Sequence, residues 1–241
     1  MTQDGTREPD GGTIRPPRLL ITAGPTHEPI DAVRYIGNRS SGRLGVSLAT
    51  AAVARGWPTT LLLGPATVDP SGSQASVVRF RSTQDLQQRL CDHLPEHDVL
   101  VMAAAVADYR PKQCDEDAKM RRTGDGMVIE LESTPDLLRG CSELRRDDQM
   151  LVGFALEPRD ELMASARRKL ERKNIDLIVA NPLETMDADT IEATLVGRAG
   201  GVHEGQWQTP GAIQKVAFAD FLLDAIAERY AIHTSEVARA R

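Results

Sequence analysis

The densest set of chemically capable side chains lies between Ile21 and Gly45, in ITAGPTHEPIDAVRYIGNRSSGRLG. Gly24 and Gly42 permit close backbone approach. Ser40 and Ser41 offer hydroxyls, Asn38 an amide, and Arg34, Arg39 and Arg43 positive charge. Together these groups suit an anion, and a helix starting beyond them would aim free N–H groups and its positive dipole end at it. The plainer alternative is helix capping by Ser40 or Ser41, with the glycines turning the chain. A long loop is expensive to order, which argues that it has a task.

Further along, Asp108 directly follows the apolar run Asp98–Val106 (DVLVMAAAV). A carboxylate there either faces a ligand, through a sugar, a base or a metal, or caps the strand end. Lys119, Arg121 and Arg122 stand beside Gly124-Asp125-Gly126 in a polar stretch. They form either a basic flap over a polyphosphate or a solvated charge cluster. Lys169 and Lys173 are one helical turn apart, so they either grip phosphates from one face or point to solvent. Phe154, near the end of an apolar run, either stacks on a base or packs in the core.

Other chemistries lack support. GxGxxG, GxxxxGK[ST], GxSxG and HExxH are absent, and the 5 histidines are scattered, which weakens dinucleotide, P-loop, serine-hydrolase and zinc readings. Net charge is -6, so a dedicated nucleic-acid binder is disfavoured, while a local basic site remains open. Cys91, Cys114 and Cys141 have neither metal-ligand nor disulfide spacing, as expected in a reducing cytoplasm. No run is long enough to span a membrane, and residues 1–17 read as a disordered tail rather than a signal peptide.

The elements that would position these groups alternate. Strands are expected at Arg18–Ala23, Thr59–Leu63, Ser76–Arg81, Asp98–Val106, Met150–Leu156, Asp176–Ala180 and, more weakly, Thr194–Arg198. Helices are expected at Gly45–Arg55, from Ser82-Thr83 to Leu94, from Thr134 to Arg146 with Thr134 as cap and Pro135 first, at Asp160–Lys173 and at Ala212–Tyr230. Residues 107–132 read as a flap with Met127–Leu131 as a hairpin arm, and residues 231–241 as a frayed end. This order implies one α/β domain over residues 18–230, a doubly wound, Rossmann-like, mainly parallel sheet with helices on both faces. Loops after its strands, including those carrying Asn38, Asp108 and Phe154, can then converge on one edge.

The blocks ITAGPTHEPIDAVRYIGNRSSGRLG, AAAVADYRP, AKMRRTGDG, TPDLL, VGFALE, KLERKNIDLIVANP and AFADFLLDAI occur in that order. From about Leu19 to about Tyr230 the chain resembles the phosphopantothenate–cysteine ligase family (phosphopantothenoylcysteine synthetases of coenzyme A biosynthesis). That family is commonly fused behind a flavin-dependent decarboxylase, and this chain looks like the ligase half, with no flavin site implied. The resemblance implies a cytoplasmic enzyme that activates 4′-phosphopantothenate with CTP and Mg²⁺ through an acyl-cytidylate. L-cysteine then displaces CMP to give an amide. It implies a homodimer and a separate decarboxylase as a partner, with no membrane or nucleic-acid role. It names Asn38, Lys119 and Arg34 as catalytic, with Arg34 acting across a dimer interface. It names Asp108, Pro135, Asp136, Leu137, Leu138, Phe154, Lys169 and Lys173 as nucleotide contacts; Gly24, Ser40, Ser41 and Gly42 of the opening loop join them as the anion-binding candidates that the residues themselves suggest. The metal ligands are not specified by it. The sequence departs from the family's usual pattern at Pro25, where a second glycine is usual, and at Met120-Arg121-Arg122, where the family commonly has Ile-Lys-Lys.

Overall fold

The computed structural model describes residues 15–113, 117–121, 124, 126–186, 188–200 and 202–240. Arg122, Asp125, Cys114 and all but the end of the tail lie outside the described residues. The central sheet has eight strands: β1 (Leu19–Ala23), β2 (Thr59–Leu63), β3 (Ser76–Arg79), β4 (Val99–Met102), β5 (Met150–Glu157), β6 (Leu177–Pro182), β7 (Thr194–Gly197) and β8 (Gly205–Gln208). Their order is β8-β7-β6-β5-β4-β1-β2-β3. The run from β6 to β3 is parallel, and β7 and β8 add an antiparallel edge. This is the doubly wound α/β sheet that the alternating pattern implies.

The helices are α1 (Arg43–Ala54), α2 (Thr83–His93), α3 (Leu137–Leu144), α4 (Leu162–Arg172) and α5 (Lys215–Ala240). Strand β1 is buried along its whole length and shows how the layers form. Leu19, Ile21 and Ala23 join one core with Leu48 and Ala52 of α1 and Phe218 and Leu222 of α5. Leu20 points the other way, into a core with Leu86, Leu90 and residues of α3 and α4. The period-two alternation of a strand thus feeds two helix layers, as a strand buried on both faces requires. No helix among the described residues is long and apolar enough to cross a membrane.

Several boundaries differ from those read in the sequence. The fourth strand ends at Met102, not Val106. Beyond it Ala105 N–H donates to the Gly24 carbonyl at 2.9 Å and Thr26 N–H to the Ala105 carbonyl at 3.2 Å, so the small residues follow a neighbouring loop instead of extending the sheet. The opening loop contains an unexpected antiparallel hairpin, His27–Pro29 with Tyr35–Gly37. The flap base pairs Tyr109–Pro111 with Leu131–Ser133, displacing the expected arm toward the C-terminus. Helix α3 is capped by Asp136 rather than Thr134, whose hydroxyl donates instead to the Ala107 carbonyl at 2.6 Å. Helix α5 continues to Ala240 through the segment expected to fray.

Candidate active site

The chain leaves β1 and winds outward through β2 and β3, then returns to place β4 on the other side of β1. The loops after β1 and β4 therefore part at a switch in strand order, where a doubly wound sheet opens a crevice at its carboxyl edge. A cleft of about 820 Å³ lies there, within the usual range for small-molecule sites. Its walls include residues 37–45, 102–108 and 134–138, with Phe154, Leu156, Lys169, Arg172 and Lys173.

The first wall depends on glycine. Gly42 precedes α1 with φ +73°, a left-handed conformation that glycine adopts without strain. A Cβ on Gly45 would stand 2.3 Å from the Ala23 Cβ, so α1 can sit this close to β1 only with glycine there. No side chain caps α1, and the Ser40 and Ser41 hydroxyls approach only the N–H groups of Gly42 and Arg43, each at 3.4 Å. The helix start thus faces the cleft with weakly satisfied donors, the arrangement that favours an anion over a cap. Asn38 donates its side-chain N–H to the Val106 carbonyl at 2.8 Å, tying this loop to the one after β4.

That second loop is fixed from behind. Ala107 N–H donates to Thr26 Oγ1 at 3.0 Å. Buried Glu28 accepts from both the N–H and the hydroxyl of Thr83, at 2.8 and 2.7 Å, at the start of α2. Asp108, exposed in the cleft wall, accepts on its backbone carbonyl from Thr134 N–H at 2.9 Å, which sets residues 134–138 beside it.

The opposite wall carries two ion pairs. Asp136 accepts from the Arg139 N–H at 3.2 Å and from Lys173 Nζ at 2.9 Å. Burial works against its charge, yet the Lys173 ammonium holds its carboxyl below the usual carboxylate range. Glu157, at the end of β5, accepts from Lys169 Nζ at 2.7 Å and from Ser165 Oγ at 2.9 Å. The Lys169 hydrogen bond outweighs burial and keeps this carboxyl low as well. Both lysines are thereby held by carboxylates on the rim of the crevice rather than extended into solvent. Phe154 is half-buried, lining the cleft and packing against the core.

Twelve of the sequence-derived site residues share this cleft: Asn38, Ser40, Ser41, Gly42, Asp108, Pro135, Asp136, Leu137, Leu138, Phe154, Lys169 and Lys173. Gly24 stands behind it, its nitrogen 3.5 Å from where a Gly42 Cβ would be. Lys119 is exposed and does not line the cleft. Arg34 is also outside the lining, paired with Asp31. Sequence reasoning overlooked Asp31, Thr26, Glu28 and Glu157, which orient the site, and Asn181 at the end of β6 with Thr185 and Met186 beyond it, which line it. The Asn181-Pro182 pair ending an apolar strand was the available signal for the last group, because ligands gather at such carboxyl ends.

An α/β protein with an anion-suited crevice at its switch point is the class that this arrangement defines. The family described as DNA/pantothenate metabolism flavoprotein C-terminal domain matches residues 14–230, and the chain belongs to it. Coenzyme A biosynthesis bifunctional protein CoaBC of Mycobacterium tuberculosis (strain ATCC 25618 / H37Rv) is 40% identical over 226 residues, covering 87% of this chain and 51% of that protein. A Cysteine/Cysteine sulfinic acid decarboxylase of an unknown prokaryotic organism is 40% identical over 200 residues, 81% of this chain and 55% of that one. The chain therefore spans about half the length of the curated relatives it matches. The crystal structure of the C-terminal domain of Coenzyme A biosynthesis bifunctional protein CoaBC superposes with a TM-score of 0.72 at 36% identity, covering 87% of this chain and 93% of that one.

Proposed function

We propose that the chain is a phosphopantothenate–cysteine ligase of coenzyme A biosynthesis that uses CTP. The observation carrying this reading is the convergence of the Asn38 loop, Asp108, residues 135–138, Phe154 and the two paired lysines on one crevice. The family membership and the CoaBC relatives support it.

In the first step a carboxylate oxygen of 4′-phosphopantothenate attacks the α-phosphorus of CTP. The bond to the β-phosphate breaks, and pyrophosphate leaves with the electron pair. In the second, the amine nitrogen of L-cysteine attacks the acyl carbon, the amide C–N bond forms, CMP departs with the C–O electrons, and the amine proton is lost to solvent. The nucleotide lies along residues 135–138, its base against Phe154, its phosphates near Lys169 and Lys173. Asn38 and the uncapped start of α1 hold the acyl-phosphate oxygens, where fixed donors stabilise developing charge. Lys119 counters charge as the intermediate forms. The crevice shields the mixed anhydride from water.

Mg²⁺ enters on the triphosphate in this reading. Such an ion usually keeps several waters and takes one or two carboxylates with substrate phosphates, and Asp108, in the cleft wall, would supply one such carboxylate.

The active form in this reading is a cytoplasmic homodimer. Val33 and Tyr35 of the first hairpin and Tyr109, Val128 and Leu131 around the flap base are exposed at 60%, 51%, 55%, 92% and 41%, and the hairpin strand His27–Pro29 packs beside the flap strand Tyr109–Pro111. A second copy covering this face would bring the flap of one chain toward the crevice of the other. A separate decarboxylase acting on the product's cysteine carboxylate would follow.

The test is pyrophosphate release by the purified protein with 4′-phosphopantothenate, L-cysteine and each nucleoside triphosphate in turn. CTP should support turnover and ATP much less. Absence of release with every nucleotide would sink the reading in favour of a non-catalytic nucleotide-binding partner, and nicotinamide-dinucleotide binding would point to an oxidoreductase instead.

A further inference from the structure

The turn of the first hairpin holds a carboxylate that the proposed chemistry does not itself use. Asp31 is fully buried, yet it belongs to neither hydrophobic core. Its Oδ1 accepts from the N–H groups of Val33 and Arg34, each at 2.8 Å, the local turn that aspartate favours. Its Oδ2 accepts from Arg34 Nε at 2.9 Å, from Arg34 Nη2, and from the N–H of Met120 at 3.1 Å. The last of these donors lies 89 positions away, in the flap.

Two more bonds join the same segments. Ala32 N–H donates to the Ala118 carbonyl at 3.2 Å, and Arg34 Nη2 to the Met120 carbonyl at 3.1 Å. The backbone is thus held immediately before and immediately after Lys119, while the Lys119 side chain stays exposed. The Arg34 guanidinium, against the cost of burial, keeps the Asp31 carboxyl well below the usual carboxylate range, so it stays charged throughout the working range. A buried carboxylate is tolerated only when fully paired, and removing its partners leaves an uncompensated charge.

We infer that Asp31 is a positioning residue that latches the Lys119 segment onto the hairpin leading to Asn38. Arg34 completes the latch as the bidentate partner of Asp31 and a donor to the flap. The second hairpin strand, Tyr35–Gly37, ends directly at Asn38. Lys119 and Asn38 therefore share one support, although they lie far apart in sequence. A small shift of this hairpin moves both groups relative to the acyl-phosphate, and misplacement of about 1 Å costs roughly 100-fold in such reactions. This inference rests on the ligase reading for its catalytic consequence but not for the latch.

The test uses the full chain and two variants. Asp31→Asn keeps the size and one acceptor but loses the charge. Met120→Pro, on a half-exposed residue outside the hairpin, removes the flap's N–H donor and also fixes φ there and restricts Lys119 before it, so it serves to read the latch through exchange at Ala32 should Asp31→Asn fail to fold. Hydrogen exchange is read at the Ala32 amide in both variants and at the Met120 amide in Asp31→Asn, with turnover and CTP affinity measured beside it. Exchange is expected to speed up by at least roughly tenfold, kcat to fall by roughly 10- to 100-fold, and the KM for CTP to stay within about twofold. Unchanged exchange overturns the latch. Faster exchange with unchanged kcat, or kcat and KM for CTP failing together, overturns the positioning role. A wild-type chain that releases no pyrophosphate defeats the ligase reading instead, and the exchange measurements still decide the latch.

Discussion

The two banks of the crevice are held by different means. On the bank of β5, α3 and α4, the lysines are fixed by short ion pairs between neighbouring regular elements, Asp136 with Lys173 and Glu157 with Lys169. On the other side, where the first hairpin meets the flap, the segment carrying Lys119 is held through its backbone by a buried carboxylate, and the Lys119 side chain is exposed outside the cleft lining. The first design suits a ligand group that is the same in every turnover, such as a nucleotide. On the ligase reading, the second leaves the exposed side chain available to meet charge that exists only as the intermediate forms. Binding energy spent equally on ground and transition states lowers KM without raising kcat, so the two banks should separate in kinetics.

The largest expected effect is on the catalytic bank. Asn38→Asp removes the N–H that reaches the Val106 carbonyl and, on the ligase reading, sets a negative charge beside the acyl-phosphate. The overall rate should fall by roughly 100-fold or more, as when one oxyanion donor is lost, while CTP binding measured by calorimetry changes little. Stalled acyl-cytidylate should accumulate and be detectable by mass spectrometry. A parallel loss of CTP affinity would erase the division between the banks.

Lys173→Ala tests the other bank. It removes a cleft cation and leaves Asp136 charged without its partner. CTP affinity should weaken by roughly tenfold through the lost charge-assisted contact, with kcat at saturating CTP reduced far less. An equal fall in kcat would mean that Lys173 acts on the transition state, and the contrast between the banks would need redrawing.

How much of this was legible in the sequence depends on what sets each element. Strands β1 and β2 follow from continuous apolar runs that both helix layers demand, and α2 follows from Ser82 and Asp85, which form the reciprocal cap. The twelve cleft residues are gathered by topology, and the alternation of strands and helices carried that topology. What escaped was decided by distant partners. Thr134 has the composition of a helix cap, but the Ala107 carbonyl takes its hydroxyl and Asp136 caps instead. Ala103–Val106 read as strand because small apolar residues carry no signal of where a sheet stops, and here the loop after β1 captures their backbone. Asp31 went unnoticed, since nothing local shows that Met120 completes its shell.

The smallest expected effect probes how far the nucleotide bank is built before any ligand arrives. Glu157→Gln keeps the shape and the contact with Ser165 but removes the charge that holds Lys169. The pair is only partly buried, so its loss should cost about 0.5–1 kcal/mol of stability and a few-fold in CTP affinity. The Glu157 carboxyl lies below its ordinary value in the folded chain, with Lys169 as the main cause. Its contribution is therefore fully present above the unfolded value of about 4.3 and is lost as pH falls through the lower folded value. Thermal melts of the two proteins should differ most well above the unfolded value and converge as the pH falls through the lower folded value. A difference that does not depend on pH would assign the loss to packing. Lys169 would then owe its position to the fold of α4, and the two banks would differ in rigidity alone rather than in how charge is held.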